Sequence, residues 1–148
     1  MNKIKKLLLP FTFLIYIAIL LRLTIFRPNI LAQRSMNLVP FADLVQVWRN
    51  YSLGTFIWLF GGNIGWFVPF GFMLPLMWRR FKGWHVIGMG SAFSLTIEVT
   101  QYFTRRGVAE LDDLILNTLG VAIGYLLYWL IFVRCRHIKG QDYGSSPQ

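Results

Sequence analysis

The side chains able to do chemistry are few, and most stand in apolar surroundings. Glu98 and Gln101 lie in SLTIEVTQYF, Asp112, Asp113 and Asn117 in LDDLILNTLG, and Asn63 in GGNIG, while Arg22 and Arg106 stand near the ends of apolar runs. A charged group at the centre of a membrane helix costs about 2.5–3.5 kcal/mol on insertion scales, so each needs a use. At 1.5 Å per residue, Glu98 comes out about 10 Å below the boundary marked by Arg105, and Arg22 and Asn117 about 7–8 Å below theirs. The polar residues are thus expected in one half of a helical bundle. Glu98 and Gln101, three apart, share a helix face; Asp113, Asn117, Gly120 and Gly124 form a second stripe, polar at one end and small at the other.

Three uses compete. Arg22 or Arg106 could pair with Glu98 while Gln101 and Asn63 complete a hydrogen-bonded cluster that only fixes helix packing. The same groups could line a pocket open to the outer leaflet, with the arginines taking phosphate or carboxylate and Glu98, Gln101, Asp113 and Asn117 taking hydroxyls and amides. Alternatively Glu98 or Asp113, its pKa raised by desolvation, could act as general base of a membrane-embedded enzyme on a lipid-linked substrate. Asp112 and Asp113 open a helix, where capping and the dipole explain one of them. No metal site is expected, because no spacing around Glu98 and the aspartates identifies a ligand set. Ser91 and Ser94 have no His at a plausible depth, His85 and His137 read as interface residues, and no cofactor is expected.

The elements that must position these groups follow from composition. The 148 residues are 55% apolar and 14% charged with mean hydropathy +0.51, the profile of an integral membrane protein. The net charge of +9 lies in short clusters between apolar runs, as topology signals do, so nucleic acid is not an expected partner. One cysteine, Cys135, excludes an intrachain disulfide. Four apolar windows, 7–26, 54–78, 84–103 and 112–133, are each about long enough to span a bilayer, and the first reads as a retained span, not a cleaved signal. The second carries Gly61, Gly62, Gly65, Pro69, Gly71 and Pro75, so a kink, tilt or break is anticipated there. Gly120 and Gly124, and also Gly61 and Gly65, have the small-xxx-small spacing of close helix contacts.

Nine Lys and Arg residues (Lys3, Lys5, Lys6, Arg79, Arg80, Lys82, Arg134, Arg136, Lys139) fall on one side of these spans, against five (Arg27, Arg34, Arg49, Arg105, Arg106) on the other. Both termini are therefore expected in the cytoplasm, with 27–53 and 104–111 outward. Within the outward segment, Asn37 and Pro40 predict a turn and FADLVQVW a short interfacial amphipathic helix. The expected organisation is an all-α integral membrane domain over 1–138, a bundle of about four transmembrane helices, followed by a disordered cytoplasmic tail at 139–148.

NLVPF at 37–41, GGNIGWFVPFGFMLP at 61–75, SLTIEVTQ at 94–101 and LDDLILNTLG at 111–120, in this order, resemble the VanZ-like membrane protein family. The resemblance covers about 25–125. It matches Asn37, Pro40, Phe41, Asn63, Pro69, Phe70, Gly71, Glu98, Gln101, Asp112, Asp113, Asn117 and Gly120, and departs from the pattern at Glu110. It implies a small multi-pass protein of the bacterial cell membrane and a link to glycopeptide (teicoplanin) resistance, without supplying a reaction. Membrane lipids, and a lipid-linked cell-wall precursor, are the expected partners.

Overall fold

The computed structural model describes residues 3–26 and 30–134. Cys135, His137 and the 139–148 tail, together with Arg27, Arg136 and Lys139, lie outside the described residues. The chain forms helices α1 (Lys3–Thr24), α2 (Ala42–Asn50), α3 (Leu53–Met77), α4 (Gly83–Thr104) and α5 (Leu111–Tyr128), the last continuing as a π-helical segment, Trp129–Arg134. Four of the five cover the four apolar windows, and α2 falls where the amphipathic segment is expected. Two short strands, β1 (Met36–Asn37) and β2 (Ala109–Glu110), pair in parallel, Met36 with Ala109 and Asn37 with Glu110. Segments this short carry no alternation to read, and the sequence does not announce them.

Local signals explain the boundaries. Ser52 caps α3, its hydroxyl accepting from the Thr55 N–H at 3.3 Å. At the other end of the bundle α4 stops at Arg105, which adopts the left-handed conformation (φ 58°), and the Arg106 N–H closes the last turn on the Gln101 carbonyl at 3.2 Å. The expected break in α3 does not occur: it runs unbroken for 25 residues through Pro69 and Pro75. Leu74 and Pro75 are buried on that stretch, so packing against neighbours holds the helix where two backbone N–H groups are missing.

The tightest packing is between α3 and α5, and glycine makes it possible. A Cβ at Gly120 or Gly124 would fall well inside contact with the Ile64 or Val68 carbonyl, and one at Gly71 would strike the Val121 carbonyl. Gly120 and Gly124 thus form the close contact that their spacing predicts. Gly61 and Gly65 do not: a Cβ at Gly65 meets nothing within 4 Å, and at Gly61 only the Ile57 side chain of its own helix. Around the α3–α5 seam, Leu20, Phe67, Phe70, Leu74, Val86, Ile97 and Val121 form the core, and Tyr16 ties α1 to α3 by donating to the Trp66 carbonyl at 2.5 Å.

Leu53–Met77 and Leu111–Arg134 are long and apolar enough to cross a bilayer, and only 28% of each such window is buried. Their apolar sides face outward, unlike the central helix of a water-soluble protein. The apolar part of α1 is shorter, Leu8–Thr24, and α4 mixes His, Ser, Thr, Glu and Gln into its 22 residues. Two of the four expected spans therefore meet the length and hydropathy criteria.

Candidate functional site

The ends of α1 and α4 meet the start of α5 at one end of the bundle, here called the loop end. Backbone bonds stitch it together: the Leu31 N–H donates to the Arg105 carbonyl at 2.7 Å, and the Ala109 N–H to the Ser35 carbonyl at 3.1 Å. Most of the predicted polar residues lie at or below this end, and their hydrogen bonds run to several different elements. Glu98, 6% exposed, accepts from the Glu110 N–H at 3.0 Å, holding β2 against α4. Gln101 donates to the Thr24 carbonyl at 3.1 Å, satisfying the end of α1. Asp112, 4% exposed, accepts from the Phe41 N–H at 2.6 Å. Asn63 of α3 donates to Asp113 of α5. Lower down, Asn117 donates to the Ser94 hydroxyl at 2.9 Å, both groups buried.

Several expectations change here. Arg22 does not pair with Glu98: its guanidinium donates to the Phe26 carbonyl at 2.7 Å on the exposed flank of α1. The Phe26 carbonyl, just past the end of α1, lies one turn from Arg22 and is nearer to it than the interior of the bundle. Arg106 is half-buried beside Gln101. Asp112 does not cap its own helix, whose N-cap is Glu110 with no side-chain cap bond, but reaches across to the NLVPF segment. Within that segment Asn37 makes the expected turn, its Oδ1 accepting from the Val39 N–H at 3.2 Å. Among the described residues no three His, Cys, Asp or Glu side chains cluster to hold a metal ion.

The Ser94–Asn117 pair gives a direct measure of how much such bonds contribute. Ser94→Ala is expected to destabilise by about 1–3 kcal/mol, because it strands a buried amide. Adding Asn117→Leu removes that stranded group and should recover most of the loss; a loss in the double variant equal to the sum of the two single losses would show the pair is not coupled.

Beside this polar framework lies a cavity of about 320 Å³ with a different character. Met36 and Leu38, Leu95, Val99, Tyr102 and Phe103 of α4, and Leu111 and Leu114 of α5 line it, with Glu98 and Glu110 at its edge. Of the eight predicted site residues Glu98 alone borders this cavity, and Asn63 borders a separate open groove along α3 with Trp58 and Trp66. The exposed lining is almost wholly apolar, and besides the two glutamates one cation stands against its walls. The Arg34 guanidinium stacks on the cavity's two aromatic walls, 5.8 Å from the Tyr102 ring and 5.4 Å from the Phe103 ring. Arg105, exposed, donates to the carbonyl of Ala32, two residues before Arg34, at 3.4 Å. Sequence reasoning used Arg34 only as a topology marker, since nothing local links it to an aromatic pair so distant in the chain.

An all-helical bundle with outward-facing apolar helices and a polar framework at one end is the class of protein these observations define, and the chain belongs to the VanZ/LLP1 family, whose sequence model matches residues 13–132. Protein VanZ of Enterococcus faecium is 30% identical over 123 residues, which cover 78% of this chain and 70% of that protein. No solved structure matches the chain.

Proposed function

We propose that this is a four-span protein of the bacterial cell membrane, with both termini cytoplasmic and the loop end outward, that binds an anionic amphiphile of the envelope. The apolar cavity takes hydrocarbon, and Arg34 and Arg105 take the phosphate or carboxylate of the head group. One observation carries the reading: an apolar pocket whose aromatic walls are themselves covered by a guanidinium. Membrane lipids and lipid-linked wall precursors share this chemistry, a charged head on a hydrocarbon tail. Glu98, Gln101, Asp112 and Asp113 then act as the framework that shapes the pocket, while the arginines meet the ligand.

The test is thermal stabilisation of the purified protein by phosphatidylglycerol against phosphatidylcholine. Ligand in large excess over Kd is expected to stabilise by about 2–3 kcal/mol. Arg34→Gln should remove most of the preference for the anionic lipid and leave unliganded stability within about 0.5–1 kcal/mol of the parent, since the residue is exposed. Equal stabilisation by both lipids, unchanged in the variant, would reject the reading. Glycopeptide susceptibility, the phenotype implied by family resemblance, is the matching cellular measurement.

A further inference from the structure

Leu95 and Leu114 bound the lower side of the cavity at the loop end. Both residues also line a second recess of about 400 Å³, with Ser91 and Ala92 of α4 and Ile115 and Thr118 of α5. Ser91, Leu95 and Tyr102 follow one another along one face of α4, and Leu111, Leu114 and Thr118 along one face of α5, so the two recesses form a furrow in the α4–α5 seam. From Phe103 down to Ser91 the furrow runs about 18 Å at the helical rise, roughly half of a 30 Å hydrocarbon core.

Two hydroxyls lie in the lower recess, and neither has a proton left to offer. Ser91 donates to the Ile87 carbonyl at 2.9 Å, so the 3.0 Å contact between Ser91 and Thr118 has Thr118 as donor. The lower recess therefore presents a mainly apolar surface, and in the upper one Glu98 is turned to the Glu110 N–H. Small side chains at Ser91 and Ala92 leave it open where larger residues would fill it.

We infer that this furrow is a track for one hydrocarbon chain, running from the Arg34 end toward the middle of the bilayer. The bound amphiphile thus engages the protein through a single extended chain, and the length of that chain sets how tightly it is held. Charge fixes its direction: the Arg34 guanidinium lies over the Tyr102 and Phe103 rings that wall the upper cavity, Glu98 and Glu110 in that cavity are held by the protein's own framework, and the lower recess is lined without a charged residue. This inference rests on the proposed site at the loop end and adds the chain to its head group.

The experiment uses the full chain in one detergent and a series of single-chain phosphatidylglycerols from decanoyl to stearoyl. Wild type should bind the palmitoyl form on the order of fivefold more tightly than the decanoyl form, through the added packing contacts, with no further gain at stearoyl. Ala92→Trp, at an exposed position in the lower recess only, should keep the decanoyl affinity and lose the gain with length. Ile115→Trp blocks the same recess from α5 and gives a second measurement should the first variant fold poorly. Binding that is independent of chain length, or a tryptophan that weakens decanoyl and palmitoyl forms equally, overturns the track and leaves the head-group site standing. Absence of binding at every length overturns both.

Discussion

Gly124→Ala is expected to destabilise the folded bundle severely, although it adds one methyl group to a helix. The new Cβ would occupy the place of the Val68 carbonyl oxygen and press on the backbone of Gly71 and Phe72. Backbone cannot rotate away as a side chain can, so α3 and α5 must separate along a seam that contains much of the core. Overpacking usually costs about 1–3 kcal/mol, and a backbone clash at a close-packed seam belongs at or above the top of that range, a large share of a stability of about 5–15 kcal/mol. Gly71→Ala, which meets the Val121 carbonyl from the opposite helix, should behave the same way.

The control is Gly65→Ala, which introduces the same methyl where nothing lies within 4 Å. It should be neutral or stabilise by up to about 1 kcal/mol through helix propensity. Denaturation in detergent, with the yield of monodisperse protein, reads all three variants. Equal loss in Gly65→Ala and Gly124→Ala would show that the open glycine face of α3 is also in close contact with something.

These two glycine sets show what the sequence discloses and what it withholds. Both have the same spacing, four residues apart in an apolar helix, yet only the pair on α5 faces a partner. Spacing fixes which residues share a face; which face turns inward depends on how helices far apart in the chain pack together. Helix positions were legible because an apolar run of that length has few alternatives. The gathering of Glu98, Gln101, Asp112 and Asp113 near one end was legible because rise per residue converts sequence position into depth.

Their partners were not legible, for the same reason as the glycines. The Asp112–Phe41, Asn63–Asp113 and Gln101–Thr24 bonds join residues 71, 50 and 77 apart. Two of the three acceptor or donor groups beyond the side chains named are backbone atoms, which carry no residue identity to recognise. Depth alone lets Arg22 reach Glu98, whereas the Phe26 carbonyl just past its own helix lies closer. The apolar cavity is not legible in the sequence because its walls are ordinary Leu, Val, Tyr and Phe, and only their arrangement around a gap distinguishes them.

Asp112→Ala should release the NLVPF segment and the α2 helix it starts, while the bundle beneath stays folded. Phe41 is the N-cap of α2 and holds a left-handed backbone, φ 62° and ψ 10°, a conformation that costs a non-glycine residue about 1–2 kcal/mol. The Asp112 carboxylate, accepting its N–H at 2.6 Å, is what makes that conformation favourable. Loss of a hydrogen bond to a charged group is expected to destabilise the segment by about 1.5–3 kcal/mol. Hydrogen exchange should therefore quicken across Ala42–Asn50, with little change at α3 and α5 below their first turns.

Asp112→Asn separates the acceptor from the charge. Its amide oxygen can still accept from Phe41, and the second carboxylate oxygen of Asp112 is buried with no hydrogen-bond partner, so the charge gains little there. An amide costs less to bury than a carboxylate, which offsets the anion lost from the start of α5, a term of about 0.3–1 kcal/mol. Exchange in α2 should stay close to the parent for Asn and rise by roughly tenfold or more for Ala, the equivalent of about 1.4 kcal/mol. If Asn and Ala loosen α2 equally, the negative charge at the head of α5, and not its bond to Phe41, is what holds the segment in place.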